Sequence, residues 1–238
     1  MGKNVLIIGA SGDIGIAIAQ QLAKDGYTLL LHYNTNRKMI DQLREGLEES
    51  SVLAVLQADL CEDAAVKKFL TELVFPVDGI IFASGLAHFG VFQETPETVM
   101  DKMINLHVKA PWMIIKYILP QMVKRQSGTI IFITSIWGEQ GASNEVIYSS
   151  VKGAQNSFVK ALAKEAAPSG ISVNGVSPGF IETKMNGHLP ETEKEMLISE
   201  IPANRAGRPE EIAHAVSFLF DSRSNYIQGE IINVTGGW

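Results

Sequence analysis

The chain has 238 residues, of which 46% are hydrophobic and 19% are charged, a balance typical of a globular protein rather than a disordered one. Its 26 acidic and 20 basic residues give a formal net charge of −6, which argues against a nucleic-acid or membrane partner and favours small molecules. The single cysteine, Cys61, excludes an intrachain disulfide, and the histidines show no close metal spacing, so no metal is expected. No stretch has the pattern of a signal peptide or a membrane span, and we expect a cytoplasmic protein.

Short apolar runs bounded by glycine, asparagine or aspartate alternate along the chain with longer segments of helical period. This alternation predicts βαβ units and a parallel sheet that is buried on both faces. The expected strands are residues 5–8, 28–33, 52–57, 79–83, 129–134, 171–176 and 230–234. The expected helices are residues 14–25, 37–49, 62–73, 97–124, 147–167 and 209–220. The fold class is therefore α/β, with a seven-stranded parallel sheet and helices on both faces.

The first apolar run leads directly into the glycine-rich stretch GASGDIG, residues 9–15, which precedes a helical segment. Strand, glycine turn and helix N-terminus come in the order that a dinucleotide site requires, because glycines let the backbone approach a pyrophosphate and the helix offers unpaired amides. A carboxylate at Asp13 would repel the pyrophosphate, so we expect this side chain to turn away and cap the helix. The expected cofactor contacts are Gly9, Ser11, Gly12, Asp13, Ile14 and Gly15.

The residues after the second strand bear on the choice of cofactor. An acidic residue there would favour NAD(H) by binding the ribose 2′-hydroxyl, and the stretch HYNTNRK, residues 32–38, contains none. Polar and basic side chains suit a 2′-phosphate, so we expect NADP(H) to be favoured over NAD(H), with contacts from Asn34, Thr35, Asn36 and Arg37. After the third strand, Asp59 and Leu60 are further candidates; Asp59 could bind the adenine edge or cap the helix near residue 62.

Residues 148 to 152 read YSSVK and raise the question of catalysis. Four positions are just over one helical turn, so Tyr148 and Lys152 would share a helix face. A neighbouring ammonium group favours phenolate and lowers the pKa of a tyrosine. Taken alone, the pair is more simply explained as an ordinary solvated helix face.

The combination of glycine turn, Asn105, Ser135, Tyr148-x-x-x-Lys152 and Pro178-Gly179 resembles the short-chain dehydrogenase/reductase family over essentially the whole chain. Within that family the segments 151–185 and 207–219 and the C-terminal NVTGGW resemble the 3-oxoacyl-acyl-carrier-protein reductase branch. The resemblance implies a Rossmann-type, doubly wound domain over residues 1–238. It also implies a homotetramer formed through the long helices 97–124 and 147–167, with a dimer as the alternative.

The resemblance assigns roles that agree with the chemistry of carbonyl reduction. Tyr148 would protonate the developing alkoxide, and Lys152 would lower its pKa and bind the nicotinamide ribose. Ser135, at the end of the fifth strand, would polarise the carbonyl oxygen. Asn105 would hold a proton-relay water, although a buried capping or kinking role is the alternative. Further cofactor contacts implied are Ala83, Ser84, Gly85, Pro178, Gly179, Ile181 and Thr183, with Ala83 unable to make the hydrogen bonds of the family's asparagine.

The expected activity is NADPH-dependent reduction of a ketone to a secondary alcohol, most simply a 3-oxoacyl thioester of fatty acid biosynthesis. An acyl carrier protein is then a possible partner, served by basic residues at the site entrance. The matching regions retain Lys124 and Arg125 but have the neutral Ser169, so an acidic carrier would find less positive charge.

Trp137 and Glu139 follow the catalytic serine and are, with Ser135 and Tyr148, the expected substrate contacts. An acid at Glu139 would favour a cationic substrate. The stretches HYNTNR, HFG and SIWGE resemble a subgroup thought to reduce a ketone on the modified lysine of elongation factor P. A cofactor-binding regulator without catalysis is a third interpretation. The irregular stretch 180–209 is expected to be a substrate lid or a surface excursion with a short helix near 191–200.

Overall fold

The computed structural model describes residues 3–187 and 190–238 and contains one seven-stranded parallel sheet. The strand order is β3-β2-β1-β4-β5-β6-β7, and every neighbouring pair runs parallel. The strands are β1 Asn4–Ile8, β2 Thr28–Tyr33, β3 Val52–Gln57, β4 Gly79–Phe82, β5 Gly128–Ile133, β6 Ile171–Pro178 and β7 Ile231–Val234. This is the doubly wound Rossmann-type arrangement, and the predicted fold class is confirmed.

Helices flank the sheet on both faces. They are α1 Asp13–Lys24, α2 Arg37–Glu45, α3 Asp63–Glu72, α4 Glu97–Ile104, α5 Ala110–Arg125, α6 Trp137–Gln140, α7 Val146–Ala166, α8 Glu191–Glu200 and α9 Pro209–Phe220. Helix α9 begins at a proline, which fits the first helical turn because its missing N–H would be unpaired there. None of the helices in the two described ranges is long and apolar enough to cross a bilayer.

The helix expected over residues 97–124 is interrupted, so this prediction was wrong in its detail. A π-helical turn, Asn105–Lys109, separates α4 from α5. Pro111 explains part of the interruption: it has no N–H, so it cannot bond to the carbonyl oxygen of His107 four residues earlier. That oxygen instead accepts a hydrogen bond of 2.8 Å from Gln155 Nε2. The short helix α6 was not predicted.

The core consists of two apolar layers, one on each face of the sheet. Alternate residues of β1 illustrate the division: Leu6 and Ile8 belong to one layer, whereas Val5 and Ile7 belong to the other. All four side chains are fully buried. Burial of each large aliphatic side chain contributes about 1.5–3 kcal/mol relative to exposure, so the central strands form a rigid base for the loops at their carboxyl ends.

The chain changes winding direction between β1 and β4, which are adjacent in the sheet. In open α/β sheets the crevice at such a switch point, outside the carboxyl ends of the strands, is where ligands bind. The loops that follow β1 and β4 are packed tightly against each other there. Ala83 N donates to Ile8 O at 2.9 Å, and a Cβ atom built on Gly9 would lie 2.5 Å from Ser84 N.

Candidate active site

A cavity of about 390 Å³ opens at the carboxyl edge of the sheet, beside the switch point. The turns after β4, β5 and β6 form its walls together with α7. It contains most of the residues predicted at the reaction centre. Those that line it are Ile14, Ala83, Ser84, Gly85, Ser135, Trp137, Tyr148, Lys152, Pro178, Gly179, Ile181 and Thr183.

Lys152 reaches the cavity from the buried side of α7. Its Nζ atom donates a hydrogen bond of 2.9 Å to Ile133 O, at the end of β5, and lies 5.5 Å from the centre of the Tyr148 ring. Burial lowers the pKa of Lys152 to about 7, because transfer out of water disfavours the charged form. Tyr148 and Lys152 therefore share the face of α7 that lines the cavity, and the solvated-face interpretation does not hold.

The Tyr148 hydroxyl faces Ser135. Burial raises the pKa of Tyr148 to about 12; the hydrogen bond with Ser135 opposes this shift, and the charge of Glu145 adds to it. The expectation that Lys152 lowers the pKa of this tyrosine was wrong for the structure as it stands, since desolvation dominates. The phenol therefore stays protonated at neutral pH, which is the form that an acid needs. The Ser135 oxygen also accepts a hydrogen bond of 3.2 Å from Trp137 N.

The glycine turn passes a direct test of fit to a pyrophosphate. Gly9 has φ +86°, and a Cβ atom on Gly15 would lie 2.2 Å from Gly9 O, so packing within the chain requires both glycines. A Cβ atom on Gly12 would meet only Gly9 O at 3.6 Å. Gly12 is also the N-cap of α1, so its missing side chain leaves the helix N-terminus open to an anion.

The side chain of Asp13 is directed away from the glycine turn, as expected, but it does not cap α1. Its Oδ2 atom accepts a hydrogen bond of 2.7 Å from Lys184 N, and Lys184 Nζ lies 4.0 Å from Oδ1. The carboxylate therefore joins the first turn of α1 to the stretch that follows β6. The negative charge of Asp13 is therefore paired with Lys184, away from the pyrophosphate position.

His32, at the end of β2, was not predicted as part of the site. Gly9 N donates to its Nδ1 atom at 3.2 Å, so Nε2 carries the proton and lies 3.1 Å from its acceptor, Ala58 O. Burial lowers the pKa of His32 to about 4. The neutral imidazole thus ties the glycine turn to the end of β3. Sequence patterns gave no signal for this role of His32, because its two partners are distant along the chain: Gly9 is 23 positions away and Ala58 is 26 positions away.

The predicted adenosine contacts lie at the same edge of the sheet but outside the cavity. The Asn36 side chain accepts a hydrogen bond from Met39 N as the N-cap of α2, and Arg37 Nε donates to Asp41 Oδ1 at 2.9 Å. Asn34, Thr35, Ser11 and Leu60 occupy the turns after β1, β2 and β3.

Two predicted polar residues serve local structure near the end of β3. Asp59 accepts from Cys61 N at 3.0 Å, whereas Glu62 is the N-cap of α3, so Asp59 stabilises the turn rather than capping the helix. Asn105, the first residue of the π-helical turn, donates from Nδ2 to Cys61 O at 2.9 Å. It thereby joins that turn to the β3–α3 loop. Burial, assisted by Asp59, raises the pKa of the Cys61 thiol to about 11.

Glu139 does not belong to the cavity, which corrects the predicted substrate contact. It lies exposed on α6. The acidic residue that lines the cavity is Glu145, just before α7. Sequence reasoning could not choose between them, because α6 was not predicted and its short turn decides which acid faces inward.

Aromatic side chains form much of the remaining wall. Trp137 and Trp238 meet edge to face with ring centres 5.1 Å apart, and Phe89 and Phe180 line the same cavity. The C-terminal tryptophan thus reaches the site from the far end of the chain. Among the described lining residues, the charged ones are Glu145 and Lys152.

A second cavity, of about 750 Å³, adjoins the first and shares Phe180, Thr183 and Asn186 with it. The stretch 180–209 forms it, including α8, which occupies the expected position. Residues 188 and 189 lie outside the described part of the chain, and a lid role for this stretch stays a prediction.

The proposed carrier-docking residues lie elsewhere. Lys124 and Arg125 precede β5, and Ser169 precedes β6, so within this chain they lie at the amino edge of the sheet, opposite the cavity. Arg125 Nη2 there donates to Val77 O at 2.7 Å. The expectation that these residues flank the site entrance was wrong for the single chain.

Comparisons with known proteins agree with this geometry. A family model described as Enoyl-(Acyl carrier protein) reductase matches residues 9–238. The protein "Uncharacterized oxidoreductase YmfI" of Bacillus subtilis is 47% identical, covering 100% of this chain and 99% of the relative. The 3-oxoacyl-[acyl-carrier-protein] reductase FabG of Staphylococcus epidermidis is 32% identical over 100% of this chain and 99% of its own length. Among solved structures, a blue fluorescent protein from a metagenomic library in complex with NADPH is 28% identical with a TM-score of 0.90, covering 99% and 97% of the two chains.

Proposed function

The chain belongs to the short-chain dehydrogenase/reductase family of oxidoreductases, and from this premise we propose that it reduces a ketone to a secondary alcohol with NADPH. The observation that carries the proposal is the convergence of Ser135, Tyr148 and Lys152 on one cavity beside the glycine turn. Asn105 is not among the described residues that line the cavity, and its side chain bonds to Cys61 O; its place in the proposed catalytic group rests on the family resemblance.

The proposed roles follow from the hydrogen bonds of these side chains. NADPH, when bound at the glycine turn, supplies the hydride that is added to the carbonyl carbon. Tyr148 donates its phenolic proton to the carbonyl oxygen, for which its raised pKa keeps it in the protonated form. Ser135 donates a hydrogen bond to the same oxygen and stabilises its developing charge. Lys152, held by Ile133 O, provides the positive charge that offsets the phenolate left behind.

The preference for NADPH over NADH rests on the turn after β2. The first acidic side chain after that strand is Asp41, and Arg37 already engages it. The 2′ position of an adenosine ribose would therefore meet amide, hydroxyl and guanidinium groups, which suit a phosphate. The related structure with NADPH supports the same choice.

We propose further that the substrate is a ketone bearing a protonated amine. Glu145 contributes a carboxylate to the cavity wall, and Trp137, Trp238, Phe89 and Phe180 contribute aromatic rings. A carboxylate with aromatic faces is the arrangement that recognises an ammonium group. A ketone on the modified lysine of elongation factor P has this chemistry. Such a substrate would use Glu145, rather than Glu139, as its charge partner.

A 3-oxoacyl thioester is the second candidate, favoured by the name of the 32% identical relative. The apolar walls of the cavity would accept a short acyl chain. The acidic Glu145 is the opposing observation, because an acyl carrier protein and its phosphodiester linker are anionic. A role of this protein in fatty acid biosynthesis would follow only if this second candidate is the substrate.

The test compares three ketones by the loss of NADPH absorbance: a short methyl ketone with a terminal primary amine, its neutral analogue of equal length, and an acetoacetyl thioester. We expect kcat/KM for the amino ketone to exceed that for the neutral analogue by at least about tenfold. Glu145→Gln should remove this preference without reducing turnover of the neutral analogue. Tyr148→Phe should abolish turnover of every ketone, and NADH should be the poorer donor.

Glu139→Gln is the matched control, because this acid lies outside the cavity and should leave the preference unchanged. The acetoacetyl thioester proving the best substrate, with Glu145→Gln improving it further, would replace the amine proposal by the second candidate. Tight NADPH binding without turnover of any ketone would favour a regulator instead.

A further inference from the structure

His107 is a buried polar residue that the proposed reaction does not use. It lies in the π-helical turn and is 1% exposed. Its Nε2 atom is 2.9 Å from Leu86 O and 3.2 Å from Leu86 N. Whichever tautomer is present, this one nitrogen can bond to the backbone of Leu86, as a donor in one case and an acceptor in the other.

Leu86 is part of a loop that forms one wall of the cavity. Gly85 precedes it and Ala87 and Phe89 follow, and all three line the cavity. The loop continues from β4 and runs without regular secondary structure to residue 91. The bond from His107 is therefore a side-chain anchor for a stretch with few backbone constraints.

The same imidazole contacts the proposed catalytic tyrosine. The rings of His107 and Tyr148 meet edge to face with centres 5.9 Å apart. Burial and the nearby charge of Lys152 lower the pKa of His107 to about 3, so the ring is neutral in the working range. Gln155 fixes the backbone of His107 through the bond to its carbonyl oxygen. One rigid residue thus touches both the loop wall and the tyrosine.

A packing role alone does not account for a histidine at this position. Its Nδ1 atom is buried without a hydrogen-bond partner among the described residues, and such a nitrogen reduces stability. An apolar ring of similar size would fill the space without that cost. What the histidine supplies in exchange is its bond to Leu86, and a side chain that keeps such a cost for one bond is expected where function depends on that bond.

We propose that His107 is a positioning residue of the reduction, which holds the Leu86 loop wall at a fixed distance from Tyr148. The proposal rests on the proposed ketone reductase function. Since a ketone must lie between that wall and the phenol, loss of the anchor would let the carbonyl move away from the proton donor. His107 therefore affects the rate through Tyr148 and the loop rather than by touching the reacting atoms.

The test uses His107→Phe, which keeps the ring but removes the nitrogen, and His107→Gln, which can still bond to Leu86. For His107→Phe we expect a fall in kcat of at least about tenfold, with KM and the Kd for NADPH nearly unchanged and stability equal or higher. His107→Gln should recover part of the lost kcat. His214→Gln, on the exposed side of α9, is the control for removing a histidine.

Amide hydrogen exchange provides a readout that is independent of turnover. Peptides covering residues 84–90 should exchange faster in His107→Phe than in the parent, whereas those covering β4 should not change. Unaltered exchange in 84–90, or a kcat within about twofold of the parent, would overturn the proposal. If the parent reduces no ketone, the proposed function fails, and the exchange result still decides whether His107 anchors the loop.

Discussion

At the residue scale, Lys152 connects the site to the stability of the protein. Burial lowers its pKa from 10.5 to about 7, so the unfolded chain holds more protons than the folded one between these two values. Stability therefore rises with pH across that window as far as this group is concerned. Below pH 7 the folded protein carries a buried charge and bears the full cost of its desolvation.

Lys152→Met tests this dependence. The variant should be more stable than the parent at pH 6.5, because it removes the buried charge, and its advantage should shrink at pH 9.5, where the parent loses its proton. Urea unfolding at the two pH values measures the difference in the free energy of unfolding. Lys160→Met, on the exposed side of the same helix, is the control for loss of a lysine in solvent. An advantage for Lys152→Met that grew with pH would show that the pKa of Lys152 is not lowered.

Residue-level prediction worked where the chemistry depended on close spacing along the chain. Tyr148 and Lys152 are one helical turn apart, and the structure places both at the cavity as their spacing indicated. Glu145 and His107 were missed as site residues because their positions depend on elements that sequence patterns describe poorly. A four-residue helix brings Glu145 inward in place of Glu139, and a π-helical turn sets the direction of His107.

At the element scale, the strand, turn and helix at the N-terminus separate two uses of glycine. A Cβ atom at Gly15 would collide with Gly9 O at 2.2 Å, and backbone at such a distance must shift. The gain in helix propensity from glycine to alanine is about 1 kcal/mol, which is smaller than the several kcal/mol of such strain. Packing requires Gly15, whereas Gly12 faces the proposed pyrophosphate position and contacts little of the chain.

Gly12→Ala and Gly15→Ala therefore form a matched pair. We expect Gly12→Ala to keep the thermal midpoint of the parent and to weaken NADPH binding at least about tenfold, because its methyl group would occupy the space of the phosphate. Gly15→Ala should unfold at a clearly lower temperature or fail to fold. Thermal unfolding and NADPH fluorescence titration give the two readouts. Equal loss of stability in both variants would refute the division of roles.

The elements themselves were largely predictable, since buried parallel strands are short apolar runs with glycine or proline at their ends. Strands β2 and β3 and helix α9 have the predicted boundaries. The sequence did not predict that the helix over 97–124 is divided by a π-helical turn. Such a turn depends on which helix carbonyl oxygens accept hydrogen bonds from groups outside the helix. Gln155, 48 positions away from His107, supplies such a group.

At the scale of the whole molecule, two buried histidines make stability sensitive to mild acid. The pKa of His32 is lowered to about 4 and that of His107 to about 3, both by burial. Below the ordinary value of 6.5 the unfolded chain takes up protons that the folded protein cannot accept. Stability is therefore lost as the pH falls from 6.5 towards 4. Glu211 and Asp221, whose pKa values are lowered from 4.5 and 3.8 to about 2 by Arg205 and Arg223, lose their stabilising contribution mainly below pH 4.5.

Unfolding in urea between pH 7.5 and 5 measures this loss. Each of the two histidines should contribute a slope approaching about 1.4 kcal/mol per pH unit below pH 6. His32→Gln and His107→Gln should each reduce the slope by the contribution of one proton, and His214→Gln, which removes an exposed histidine, is the control for the substitution itself. Stability that stayed flat down to pH 5 would contradict the neutral state of the two buried rings.

Assembly and location remain predictions at this scale. Trp112 and Tyr117 on α5 are about half exposed, at 48% and 47%, and the predicted homotetramer would cover them. The single sheet with two apolar layers is in keeping with one domain over residues 1–238. A cytoplasmic location rests on the sequence alone.

The thiol of Cys61 has a practical consequence for labelling experiments. Thiolate, rather than thiol, reacts with maleimide and iodoacetamide reagents, so a pKa raised from 9.0 to about 11 leaves about 100-fold less reactive form at pH 7.5 than an ordinary exposed cysteine. Tyr226 is fully exposed, and a cysteine introduced there would react first. A Tyr226→Cys variant should therefore take up a single fluorophore or spin label while Cys61 is kept.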